Sequence, residues 1–153
     1  PHKDKDTARS RHGYIIMYNK CPIIWKSQMQ TEVCLSSTES EYVGLSYALR
    51  EVIPIIELMK ELNKLKLISA RAVPKIHCKV FEDNSGALEM AKVHKYRPRT
   101  KHLNVKYHHF RDYVERGEVS IHKIDTHQQL ADYLTKPVNQ DTLEHLRRKV
   151  MGW

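Results

Sequence analysis

The chain has 153 residues, a length that suits one domain built around one hydrophobic core. Lys and Arg number 26 against 18 Asp and Glu, giving a net charge of +8, so a polyanion such as nucleic acid is the first partner to consider, although a basic face can also be merely solvated. No apolar stretch approaches the ~20 residues needed to cross a bilayer, and Pro1-His2-Lys3-Asp4-Lys5-Asp6 lacks the apolar centre of a signal peptide, which predicts a soluble chain that is not secreted.

Tyr14 to Tyr18 is aromatic and β-branched, Asn19-Lys20 offers a turn, and Cys21 to Trp25 resumes the apolar run, the pattern of a β-hairpin. Pro22 cannot donate to a ladder and belongs at a strand start or on an unpaired side. A third short strand is expected over about Thr31 to Leu35. Ser36-Ser37-Thr38-Glu39-Ser40-Glu41 places hydroxyls three residues ahead of glutamates, a doubled capping box that opens a helix running to about Leu62, with Pro54 expected to kink it.

After a basic linker, Lys75 to Phe81 alternates as a strand with one buried face, ending in Glu82-Asp83-Asn84-Ser85-Gly86. A helix is expected from Ser85 to Lys92, so these acids sit where a strand hands over to a helix. The basic stretch Lys92 to Lys106 follows, then a helix over about Val105 to Arg116 that Gly117 can end. Val119 to Lys123 reads as a strand, Thr126 as the cap of a helix holding Leu130 to Leu134, and Leu143 to Val150 as a last amphipathic helix. Three strands in succession followed by helix-linked ones predict an α/β fold with a mixed sheet and helices packed on it.

Cys21, Cys34 and Cys78 are odd in number and form no C-x-x-C pair, which argues against a disulfide framework and against a thiolate zinc site and predicts reduced, buried thiols. His102, His108 and His109 do not form a zinc site either, because adjacent His108 and His109 would point about 100° apart on a helix. Glu41 in the first turn of one helix, Asp83 at a strand end and Asp132 on a late helix are distant in sequence, yet this topology can bring them to one sheet edge. Convergent carboxylates suit Mg²⁺, and two such ions about 3.5–4 Å apart can hold a phosphate, activate water and stabilise a leaving oxygen. Taken singly, each has a plainer explanation: Glu39 and Glu41 as helix caps, Asp83 as a turn closer, Asp132 as a solvated charge.

Five blocks in register resemble the ribonuclease H domain of copia-type LTR retrotransposon polyproteins: Ile24-Trp25-Lys26-Ser27 with Gln30; Leu35 to Tyr42; Glu82-Asp83-Asn84-Ser85-Gly86-Ala87; Arg99-Thr100-Lys101-His102; and Gln129 to Pro137. They cover nearly the whole chain. The resemblance implies an RNase H-like mixed five-stranded sheet flanked by helices over residues 1–137, with 138–153 as a C-terminal amphipathic helix or tail. It implies an endoribonuclease acting on the RNA strand of RNA/DNA hybrids with two Mg²⁺ ions, Mn²⁺ being a substitute. Glu41, Asp83 and Asp132 would be catalytic metal ligands, Glu39 would point elsewhere on its helix, and His127 would sit where related enzymes carry a mobile histidine. The implied partners are the hybrid and an upstream reverse transcriptase domain, with no membrane and no zinc, in a cytoplasmic virus-like particle or the nucleus.

One departure accompanies the match. In the family a strand bearing the first catalytic aspartate precedes the segment that Arg9-Ser10-Arg11-His12-Gly13-Tyr14 resembles, and Asp4 and Asp6 do not replace it, so the expected sheet lacks its first strand. Arg97, Arg99, Lys101 and Lys106 are candidates for phosphate contacts, and Asn84 and Ser85 for contacts to sugar or phosphate, with helix capping explaining the last two equally well. The rival from another class is a degenerate, non-catalytic nucleic-acid-binding module packed against a polymerase; the retained carboxylates oppose it, since acids beside a polyanion repel phosphate unless a cation lies between. A host protein derived from such an element has the same sequence features.

Overall fold

A computed structural model describes residues 8–68, 76–92 and 107–152. Within them the order is β1 (Arg11–Tyr18), β2 (Cys21–Met29), α1 (Ser37–Lys64), β3 (Cys78–Glu82), α2 (Ser85–Lys92), α3 (Arg111–Glu115), β4 (Val119–Lys123) and α4 (Gln140–Met151). Two single-turn 3-10 helices, Thr126–Gln128 and Asp132–Leu134, lie between β4 and α4. None of the described helices is long and apolar enough to cross a membrane.

The hairpin forms as its sequence predicts. Tyr18 pairs with Cys21 around Asn19 and Lys20, whose φ values of 48° and 66° are those of a two-residue turn matched to strand twist. The register shifts between Ile16 and Met17, opposite Pro22, so the missing proline donor falls at an irregularity. In α1 the first half of the capping box is realised, Ser36 Oγ accepting from Glu39 N at 3.2 Å, while the Glu39 carboxylate reaches one residue further back, Oε2 accepting from Leu35 N at 2.9 Å. The helix continues unbroken through Pro54, which is exposed. Its buried stripe of Tyr42, Val43, Leu45, Leu49, Val52 and Ile56 meets Ala87 and Ala91 of α2, Tyr107, Phe110, and Val119 and Ile121 of β4 in one core. Gly117, at φ 68°, ends α3 as expected.

The mixed sheet, expected to lack its first strand, is present among the described residues as two separate pairs: β1 with β2 antiparallel, and β3 with β4 parallel. Ladders need neighbours about 4.8 Å apart. Here residues His12 to Met17 of β1 and Cys78 to Asp83 at β3 instead line the two sides of one cavity of about 540 Å³, with Glu41, Gly44, Leu45, Ala48, Leu49 and Val52 of α1 along it.

Thr31 to Leu35 is not a strand, because the buried Gln30 side chain draws the chain into bends over the start of α1. Gln30 Nε2 donates to Ser40 O at 2.8 Å, and Gln30 Oε1 accepts from Cys34 Sγ at 3.3 Å and Ser40 Oγ at 3.2 Å. The expected helix at Leu130 to Leu134 is only a 3-10 turn, and Asp125, not Thr126, caps the turn before it, accepting from His127 N. The helix expected over Val105 to Arg116 is reduced to Arg111–Glu115, its first two positions lying outside the described residues. Of the free cysteines only Cys34 is buried; Cys21 is exposed and Cys78 intermediate.

Candidate active site

Glu41 stands one turn into α1, Asp83 follows directly on β3, and Asp132 opens the second 3-10 turn. All three line the cavity between β1 and β3. Two close backbone approaches bring them there. A Cβ on Gly86 would lie 2.8 Å from Thr38 Cγ2, so glycine lets the start of α2 touch the start of α1 without displacing the Thr38 side chain and sets Asp83 against the Glu41 turn. A Cβ on Gly13 would lie 2.8 Å from Leu134 Cβ and 2.9 Å from Thr135 Cγ2, so glycine in β1 admits the turn that carries Asp132. Ser27 Oγ pins that turn by donating to Leu134 O at 2.5 Å.

The cluster is electrostatically strained. Burial raises the proton affinity of Glu41, and the carboxylates of Asp83 and Asp132 raise it further. A fourth acid joins them: Glu82, only 7% exposed, is pushed up to about 8 by burial and by the Glu41 carboxylate, against one favourable hydrogen bond from Asn84 N. Glu82 was not among the sequence candidates, yet period-two alternation along Cys78, Val80 and Glu82 puts it on the inward face. Asp132 Oδ2 is held by Lys136 Nζ at 2.6 Å.

All of these donors are oxygens, the set a hard cation prefers. Their spacing is not that of a finished ligand set, since among the described residues no three His, Cys, Asp or Glu side chains lie close enough to hold a metal ion. Glu39 takes no part, its carboxylate being turned to the Leu35 amide. His127 is exposed on the first 3-10 turn and does not line the cavity. Asn84 is occupied as a cap, its Oδ1 accepting from Ala87 N at 3.0 Å, and Ser85 is exposed at the start of α2. Arg97, Arg99, Lys101 and Lys106 lie outside the described residues.

Comparison with known proteins supplies the context. The chain is 35% identical over 147 residues to the retrovirus-related Pol polyprotein from transposon RE1 of Arabidopsis thaliana, and 32% identical over 152 residues to that from transposon TNT 1-94 of Nicotiana tabacum. These alignments take in 96% and 97% of the chain. The chain is a homologue of retrotransposon Pol polyproteins. A more distant relative, the transposon Ty1-NL2 Gag-Pol polyprotein of Saccharomyces cerevisiae, is 26% identical over 142 residues. This Pol homologue spans about a tenth of the length of the plant relatives it matches, 10% in each case. No family model matches it, and no solved structure is similar to it at a significant level.

Proposed function

We propose that this Pol homologue is the ribonuclease H part of a copia-type retrotransposon polyprotein and hydrolyses the RNA strand of RNA/DNA hybrids. The observation that carries the proposal is the convergence of Glu41, Asp83 and Asp132, from three elements far apart in sequence, on one cavity of a chain with a net charge of +8. Acids gathered where a phosphate backbone would approach need a cation between them and the substrate. Glu41, Asp83 and Asp132 would hold Mg²⁺, or Mn²⁺ in its place, and the bound ions would supply an activated water and a stabilised leaving oxygen.

The open cavity points the same way. Among the described residues β1 and β3 each pair on one side only, and both border the cavity. A strand supplied by polyprotein sequence outside this chain, inserted between them and bearing a further carboxylate, would join the two sheets into one five-stranded sheet and complete the metal site. Within the chain, the Lys136 ammonium holds the Asp132 carboxylate in place until a cation competes for it. Basic side chains at Arg97, Arg99, Lys101 and Lys106 would grip phosphates without reading sequence. The upstream reverse transcriptase is the proposed covalent partner, and a virus-like particle the proposed setting.

The second reading, a binding module that cuts nothing, is favoured by one observation: as placed, the carboxylates do not by themselves form a metal site. Mg²⁺-dependent cleavage of a labelled RNA/DNA hybrid separates the two. The assay compares this chain with a version extended upstream along the polyprotein, each beside an Asp132→Asn control. RNA-strand cleavage by the extended protein and not by its control supports the nuclease. Binding without cleavage by both versions leaves the binding module.

A further inference from the structure

A second group of chemistry-bearing side chains lies on the outward face of the β3 and β4 pair; Lys79 and Phe81 of that face border the carboxylate cavity, whereas His77, Ser120 and His122 do not. The two strands run parallel with Lys79 beside Ser120 and Phe81 beside His122. Val119 and Ile121 turn into the core, so Ser120 and His122 face outward with Lys79, Phe81 and His77, the residue just before β3. Three contacts link this row. His77 Nδ1 lies 3.0 Å from Gly117 O, His77 Nε2 lies 2.8 Å from Ser120 Oγ, and Ser120 Oγ lies 2.7 Å from His122 Nε2.

The chemistry of the first contact fixes a tautomer. A carbonyl oxygen only accepts, so Nδ1 of His77 carries the proton and Nε2 of the neutral ring presents a lone pair. Gly117 is itself fixed as the left-handed residue that ends α3, so the carbonyl that orients the ring belongs to a defined turn. Two imidazole Nε2 atoms, one from the residue before β3 and one from β4, therefore converge on a single hydroxyl oxygen. His122 is exposed, and turning its Nε2 lone pair inward requires only a change of tautomer.

We propose that His77 and His122 form a surface site for a borderline divalent transition-metal ion, Cu²⁺ or Zn²⁺, bound through both Nε2 atoms with water in the remaining positions. A metal-ligating histidine almost always donates its other ring N–H to a carboxylate, a backbone carbonyl or water, and His77 already does so through Gly117. Nitrogen donors select such ions over Mg²⁺. Lys79 pairs in register with Ser120 and adds positive charge to this face, which favours Cu²⁺, the strongest binder in the divalent series. The bound ion would clamp the residue before β3 to β4. Among the described residues the outer side of this two-stranded parallel pair is exposed at His77, Lys79, Phe81 and His122, and β3 is the strand that presents Asp83.

The site does not depend on nuclease activity, and its test does not use it. Substoichiometric Cu²⁺ is added to the labelled chain and paramagnetic broadening of resonances is followed by NMR, with His77→Gln, His122→Gln and Ser120→Ala as variants and a large excess of Mg²⁺ as competitor. Broadening is expected first at His77, Gly117, Ser120 and His122, with each glutamine variant weakening Cu²⁺ binding by at least about tenfold, Ser120→Ala retaining it and Mg²⁺ not displacing it. Each variant's metal-free melting temperature serves as its own reference, and Zn²⁺ should raise the melting temperature in the parent chain and not in His122→Gln. First broadening at other histidines, unchanged affinity in both glutamine variants, or displacement by Mg²⁺ would overturn the site.

Discussion

Two buried ionisable side chains, Glu82 and His12, respond to burial in opposite senses and give the folded chain a defined pH range. The Glu82 carboxyl is pushed up to about 8 from an ordinary value of 4.5, so between those values the folded chain binds a proton that the unfolded chain has released. Stability contributed at this position therefore falls as pH rises from about 4.5 to about 8. Glu82→Gln keeps the shape and removes the linkage, so its stability should gain on the parent between pH 5 and pH 8 in urea unfolding; the same difference at both pH values would contradict the assignment. His12 is 5% exposed, stacked on Tyr47 with ring centroids 4.5 Å apart, and among the described residues neither ring nitrogen has a hydrogen-bond partner. Burial, then Lys26 and Arg11, lower it from 6.5 to about 4, so stability is full above about 6.5 and is lost as pH falls toward 4. His12→Phe preserves a ring on Tyr47 and should flatten that acid limb; an unaltered acid midpoint would show that other groups govern it.

At the scale of elements, the site depends on how short segments are pressed together. The turn carrying Asp132 makes only tight i to i+3 and i+4 contacts, with Thr135 N donating to Asp132 O at 3.0 Å and Lys136 N at 3.1 Å, and it is kept in place by Gly13 and Ser27 of the hairpin. Gly13→Ala sets a methyl against Leu134 Cβ, an atom next to the backbone that cannot swing aside, and should destabilise the chain by about 1–3 kcal/mol. A urea midpoint equal to the parent's would mean that the turn moves at no cost. α4 is capped at both ends and packs beside β2: Asn139 caps it by accepting from Thr142 N at 2.8 Å, Gly152 ends it at φ 81°, and Leu146 and Val150 are its buried residues.

For the whole molecule, the excess of basic side chains makes association with nucleic acid a salt-dependent property. Each phosphate neutralised contributes about 0.9 to the slope of log affinity against log salt on B-form duplex, so changing Arg97, Arg99, Lys101 and Lys106 together to Ala should reduce that slope by about 3 to 4. Fluorescence anisotropy with an RNA/DNA hybrid from low to moderate salt measures it. An unchanged slope would assign the phosphate contacts to other residues and leave these four as a solvated basic stretch.

What the sequence determined by itself was local. Alternation along Tyr14 to Trp25 and Cys78 to Glu82, the Ser36 to Glu39 spacing, and Gly117 each act through dihedral preference or period, and those patterns survive without knowledge of the rest of the chain. The tertiary structure alone decided the rest. Gln30 found its partners in Cys34 and Ser40 and so abolished a strand that Thr31 to Leu35 otherwise favours. Asp132 lies on a 3-10 turn because the hairpin holds that turn, and β1 and β3 stay apart because a ladder needs an adjacent edge, not a suitable sequence. The gathering of Glu41, Glu82, Asp83 and Asp132, like the meeting of His77 with His122, is a through-space event between elements, and only packing sets which side chains share a dielectric and a charge.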